Sequence, residues 1–107
     1  MQSIDVTALA ALMADPNQAP WQLIDVREPW ELATASLPQA IAIPMQQIVQ
    51  RYTELDPDKI TLCLCHHGTR SMQVGHFLER QGFANVANVS GGIDAWSRQV
   101  DATVPAY

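Results

Sequence analysis

Cys63-Leu64-Cys65-His66-His67-Gly68-Thr69-Arg70-Ser71 is the stretch around which this chain is organised. It follows the apolar run Ile60-Thr61-Leu62 and precedes Met72-Gln73-Val74-Gly75-His76-Phe77-Leu78, where Val74, Phe77 and Leu78 recur at helical spacing. A cysteine therefore stands where a buried strand hands over to a helix. A short loop there turns backbone N–H groups inward, and with the positive helix end behind it the site favours an anion. The same field stabilises a thiolate over a thiol and lowers the cysteine pKa. Cys65 is the candidate nucleophile.

Outward from this loop, strands alternate with helices. Ile4 reads as a short strand, and Asp5 caps a helix carrying Val6, Leu9, Ala10 and Met13, which Asp15-Pro16-Asn17 stops. Trp21-Gln22-Leu23-Ile24-Asp25-Val26 is a buried strand ending in polar residues, and Pro29 suits the first turn of the next helix, which bears Trp30 and Ala33. Ala40-Ile41-Ala42-Ile43 is a short strand closed by Pro44. Met45, Ile48, Val49 and Tyr52 are spaced for an amphipathic helix that ends at Asp56-Pro57-Asp58.

A strand from Lys59 to Leu64 then feeds the cysteine loop, with a helix from about Ser71 capped at its end by Gly82. Asn85 to Val89 is the last strand, Ser90-Gly91-Gly92 turns into a brief helix with Ile93 and Trp96, and the tail Val100 to Tyr107 wraps the surface. This order predicts an α/β domain of three layers, a mostly parallel sheet with helices on both faces. Ligands in such sheets bind beyond the carboxyl ends of the strands, where the cysteine loop falls.

The chain of 107 residues predicts a single domain over residues 1–107, with 48% apolar and 16% charged residues in a globular balance. A net charge of −5 offers no basic surface for nucleic acid or anionic lipid. No apolar run approaches membrane-spanning length and no signal-peptide pattern opens the chain, so a cytoplasmic location is expected. Cys63 and Cys65 lie roughly 6.6 Å apart at strand rise, the far limit for a disulfide, and read as reduced thiols.

The sequence resembles the single-domain rhodaneses, a family of sulfurtransferases. The resemblance rests on Leu23-Ile24-Asp25-Val26-Arg27-Glu28, Ala40-Ile41-Ala42-Ile43-Pro44, the loop Cys65-His66-His67-Gly68-Thr69-Arg70-Ser71, and Gly82-Phe83 followed by Val89-Ser90-Gly91-Gly92-Ile93-Asp94-Ala95-Trp96, all in the family's order. Ser36-Leu37-Pro38-Gln39 departs from the family's His and Gly around that proline, which predicts a changed turn and an intact loop. The resemblance implies a rhodanese-like fold and a Cys65 persulfide that carries sulfane sulfur from thiosulfate or a persulfide donor to cyanide or a thiol. No cofactor or metal is implied, a protein acceptor is open, and a monomer is expected.

Within the loop, Gly68 permits the tight turn that aims the amides inward. Arg70 is expected to hold a sulfonate-like group on the donor or to order the loop, against the plain alternative of a surface ion pair. The Thr69 hydroxyl reads as a sulfur contact or a turn residue, and Ser71 as the helix cap. His66 and His67 are candidate cations beside the thiolate, which would make transfer fall as pH rises through their titration; the alternative is that only their amides matter. Cys63 reads as a small buried hydrophobe rather than a resolving thiol, and Asp25 and Arg27 as organisers of the neighbouring loop. Trp30 and Trp96 belong to core or rim.

Three other readings stand beside this one. Cys65 and Arg70 are separated by four residues, whereas the loop of related phosphatases has five, so a phosphatase or arsenate reductase is disfavoured. Cys63, Cys65, His66 and His67 are four potential metal ligands, but adjacent histidines and a Cys-x-Cys strand do not close a tetrahedron, and His76 lies away on the helix. The last is a binding module without turnover; a retained Cys65 argues for chemistry.

Overall fold

The computed structural model describes residues Met1–Tyr107. Five parallel strands form one sheet in the order β1-β5-β4-β2-β3: β1 Gln2–Ile4, β2 Trp21–Asp25, β3 Ile41–Ala42, β4 Ile60–Leu64 and β5 Val86–Val89. The helices are α1 Val6–Ala14, α2 Pro29–Thr34, the single turn α3 Ile48–Arg51, α4 Thr69–Arg80 and α5 Gly92–Gln99. Parallel neighbours need crossovers, and the intervening helices supply them while covering both sheet faces.

Successive strand side chains point to opposite faces, which divides the core in two. Leu23, Leu62, Leu64, Ala87 and Val89 pack with Val6 and Leu9 of α1 and Ile93 and Trp96 of α5. Ile24, Cys63 and Val86, with Val26 and Cys65 just past the strand ends, meet Ile48 of α3, Val74 and Leu78 of α4, and Phe83. A fully buried Leu or Ile contributes about 1.5–3 kcal/mol, so the strands are fixed from both sides. Their carboxyl ends present loops in fixed positions. Cys63 and Cys65 share the second face, and Cys63 is a core residue.

Local signals place most elements where the sequence puts them. The Asp5 carboxylate accepts from the Ala8 N–H at 2.8 Å, capping α1, and Pro29 opens α2. At the end of α4 the Gly82 N–H donates to the Glu79 carbonyl and the Phe83 N–H to the Leu78 carbonyl. Gly82 adopts φ +94°, a left-handed conformation suited to glycine, and Phe83 joins Leu78 in the core.

Four expectations need correction. The amphipathic helix expected over Met45, Ile48, Val49 and Tyr52 is one α turn between two 3-10 turns, Met45–Gln47 and Tyr52–Glu54, and Val49 is exposed. Buried Ile48 and Leu55 tether that segment, and β-branched Ile48 and Val49 do little to extend a helix on their own. Helix α4 starts at Thr69, two residues before the expected Ser71, because Gly68 at φ +110° is its N-cap. Ser71 thus lies inside the first turn and is not the cap. The tail also does more than wrap the surface: Val100, Val104 and Tyr107 pack against the first core cluster.

The Ser36–Gln39 turn is anchored by one side chain. Leu37 is buried in the core beneath exposed Pro38 and Gln39.

Candidate active site

Cys65 is the first residue past β4, and α4 begins four residues later. Its side chain is buried, with the Gly68 N–H donating to Sγ at 3.1 Å and the Ser71 Oγ 3.3 Å from the sulfur. Burial alone pushes the Cys65 thiol up. The Ser71 hydroxyl and the amides of Ser71, Gly68 and His67 outweigh that and hold its pKa below the usual thiol value. The sequence expectation of a lowered cysteine is met by this cradle. Cys63, two residues back, is pushed up to about 12 by burial and by the neighbouring Cys65, so it stays a thiol.

The loop is pinned from two sides. The Asn88 Nδ2 donates to the Gly68 carbonyl at 2.9 Å, and its Oδ1 faces the Ser71 hydroxyl at 2.5 Å. From α5, the Ile93 N–H donates to the Cys65 carbonyl at 2.9 Å and the Asp94 N–H to the His66 carbonyl at 3.1 Å. Gly92 makes that approach possible: a Cβ there would stand 2.3 Å from the Cys65 carbonyl oxygen. The α5 amides are thus spent on the loop carbonyls and hold the loop in place, while the first turn of α4 and the Gly68 amide face the sulfur, which is a site for an anion.

The other loop residues divide by exposure. Thr69 is exposed, and its hydroxyl neither caps the helix nor meets the sulfur. Arg70 donates to Glu31 through Nη1 at 2.6 Å and Nη2 at 2.9 Å, a bidentate pair that keeps the guanidinium about one-third exposed. This ion pair raises the Arg70 pKa further and holds the Glu31 carboxyl at about 2, with help from the Glu28 amide and the Tyr107 hydroxyl and against its burial. The alternative of an ordinary surface pair is half met, since Glu31 is buried.

Of the two readings of His66, its surroundings disfavour the charged ring. Burial first, and then the nearby His67, lower its pKa, with the Tyr107 backbone opposing. Its ring lies between Tyr107, stacked at 3.9 Å and 5°, and His67 at 4.0 Å and 30°. His67 is exposed, 3.9 Å from Asp94, and it serves the sulfur through its backbone amide.

His66, His67 and Asp94 bring ligand atoms within 4.8 Å of one another, a grouping different from the four ligands weighed in the sequence. The two imidazole rings lie against each other at 4.0 Å, and His66 is also stacked on Tyr107. The Asp94 carboxylate is also engaged by Arg98 at 3.0 Å.

Sequence reasoning passed over three residues of this site. Asn88 is a buried amide in an otherwise apolar strand, and that incongruity was the available signal. Glu31 accepts from the Glu28 N–H at 3.0 Å, as expected three residues into a helix, but the sequence does not show that it reaches Arg70. Tyr107 gave no signal at all. Asp25 and Arg27 behave as organisers: they form a fully buried pair, and Arg27 Nη2 also donates to the Ala35 carbonyl at 2.7 Å. Trp30 is an exposed rim residue, whereas Trp96 is core.

Comparison with known proteins bears on the family and the fold. The model of the rhodanese-like domain matches residues 5–99. The Arabidopsis thaliana rhodanese-like/PpiC domain-containing protein 12, chloroplastic, is 43% identical over all of this chain, which spans 38% of that relative's length. The thiosulfate sulfurtransferase GlpE of Vibrio cholerae is 36% identical, covering 89% of this chain and 87% of its own. A rhodanese-like domain protein from Staphylococcus aureus superposes with a TM-score of 0.84 at 31% identity, over 100% of this chain and 99% of that one. A five-stranded parallel sheet presenting a cysteine loop, and a match that runs from Asp5 to Gln99, lead to one conclusion: the chain belongs to the rhodanese-like domain family.

Proposed function

We propose that this protein is a sulfurtransferase of the thiosulfate type in which Cys65 carries the sulfur as a persulfide. The observation that supports it is the Cys65 Sγ held among the Gly68 amide and the Ser71 hydroxyl, with its pKa lowered although it is buried. An ionised sulfur needs no separate base to attack. The thiolate forms a bond to the outer sulfur of thiosulfate, and the bond to the sulfonate sulfur breaks, so that sulfite leaves with the electron pair. Cyanide or a thiolate then takes the outer sulfur, and the Cys65 thiolate is restored.

Arg70 lies at the end of the loop, where its fixed charge attracts the sulfonate of the donor while Glu31 holds it in place. The inward amides stabilise the persulfide anion as they do the thiolate. A relative named a thiosulfate sulfurtransferase favours this donor class; low-molecular-weight persulfides and a protein thiol acceptor fit the same chemistry. A monomer acting in the cytoplasm belongs to the same reading. The loop donors converge on the sulfur itself, which favours a sulfur cargo over a phosphate.

The test is intact mass after thiosulfate and then after cyanide, with thiocyanate quantified and Cys65→Ser alongside. A gain of one sulfur that cyanide removes, absent in the variant, is expected. No gain with thiosulfate or with a panel of organic persulfides would overturn the proposal.

A further inference from the structure

The Tyr107 hydroxyl sits between opposite charges. It accepts from Arg27 Nη1 at 2.9 Å and donates to Glu31 Oε2 at 2.7 Å. Arg27 is fully buried and already committed: its Nε and Nη2 meet Asp25 at 2.9 and 2.7 Å. It is therefore a rigid anchor, and the hydroxyl it holds is rigid too. Glu31 Oε2 also takes Arg70 Nη2, so a single chain of hydrogen bonds runs Arg27, Tyr107, Glu31, Arg70.

The ring of the same residue lies flat on His66, directly after Cys65, and meets Trp30 edge-on at 6.0 Å. Tyr107 thereby touches the residue after the cysteine and, through Glu31, the arginine that ends the loop. The terminal torsion of a glutamate is broad, so without that hydroxyl one carboxylate oxygen is left with Arg70 alone.

We propose that Tyr107 is a positioning residue which, through Glu31, fixes the Arg70 guanidinium toward the anionic end of an incoming donor. The assignment rests on the reading of Arg70 as the group that attracts that anion. It gives the tail a part in selecting charged over neutral reagents.

The experiment compares alkylation of Cys65 by iodoacetate and by iodoacetamide, which share a leaving group and a mechanism and differ in charge. Cys65→Ser accounts for background. Tyr107→Phe keeps the ring against His66 and Trp30 and removes only the hydroxyl. The ratio of the iodoacetate to the iodoacetamide rate constant is expected to fall about threefold in this variant, the scale of a partly exposed charge contact. The iodoacetamide rate and its pH profile stay as in the native protein, because the groups on Sγ are untouched. The KM for thiosulfate rises by a similar factor with kcat little changed.

An unchanged ratio in Tyr107→Phe overturns the assignment. An equal fall with both reagents overturns it too, because it shows only a loosened loop. If the native protein takes no sulfur from any donor while the ratio still falls, sulfur transfer fails and the positioning role stands.

Discussion

Ser71 and Asn88, seventeen residues apart in the chain, face each other at 2.5 Å between hydroxyl and amide oxygen, with the Cys65 sulfur 3.3 Å from the same hydroxyl. A serine has one proton to donate. It serves Asn88 or the thiolate, one at a time, and a hydroxyl already held in place loses little freedom by turning to the sulfur.

Ser71→Ala removes that donor and leaves the burial that pushes Cys65 up. The Ser71 hydroxyl is among the groups that hold the Cys65 pKa below the usual thiol value, so the midpoint of the pH profile for iodoacetamide alkylation is expected to move up in the variant, and alkylation at neutral pH to slow severalfold. An unmoved midpoint would assign the lowered pKa to the amides alone.

Asn88→Ala should cost stability and loop order together. It strips the Gly68 carbonyl of its donor and leaves the Ser71 hydroxyl with one partner fewer, in a buried setting worth about 2 kcal/mol. Urea unfolding is expected to show that loss, and hydrogen exchange in residues 66–70 to quicken more than in β4.

Glu31 sets an acid limit. Its pKa in the folded protein is about 2 against the usual 4.5, so the unfolded chain takes up its proton first. The contribution is complete above about pH 4.5 and is lost as pH falls toward 2. Glu31→Gln is expected to lower stability at pH 7 by on the order of 2 kcal/mol, less than a wholly buried pair because Arg70 reaches solvent. Thermal melts of variant and native protein should therefore converge as the pH drops through that window.

Gly92→Ala tests the seam between the loop and α5. Gly92 has φ +59°, and a methyl group would meet the carbonyl oxygens of Cys65 and His66 at 2.3 and 2.4 Å. Backbone on both sides leaves no flexible side chain to yield, so α5 must shift away. Loss of about 2–4 kcal/mol is expected, together with slower alkylation of Cys65; a native melting temperature would contradict the packing.

The parts of the molecule legible in the sequence are those written in local chemistry. Alternating apolar runs and helical spacings gave the sheet and its layers, and Cys65 followed from standing at a strand-to-helix turn with Gly68 close by. Ser71 was misread because Ser is a common cap, whereas Gly68 in a left-handed conformation already ends the turn and moves Ser71 inside. Asn88 acquires its role from register, since pairing of Cys63 with Asn88 brings β5 beside the loop. Glu31 and Tyr107 meet across 76 positions, a contact that no local pattern announces. Of the two readings of His66 the charged ring is disfavoured, because the ring's neighbours come from the tail and from His67 and leave it half-buried.

Cys63 and Cys65 share a sheet face, yet one sulfur is held as an un-ionised thiol and the other is favoured as an anion. Discharge of a loaded Cys65 from within would require Cys63 to attack the inner sulfur, close a disulfide and expel hydrosulfide. A thiol that ionises only at about 12 is a poor attacker at neutral pH. Under the proposed chemistry the loaded protein therefore has no internal leak, and it keeps its cargo until an outside acceptor arrives.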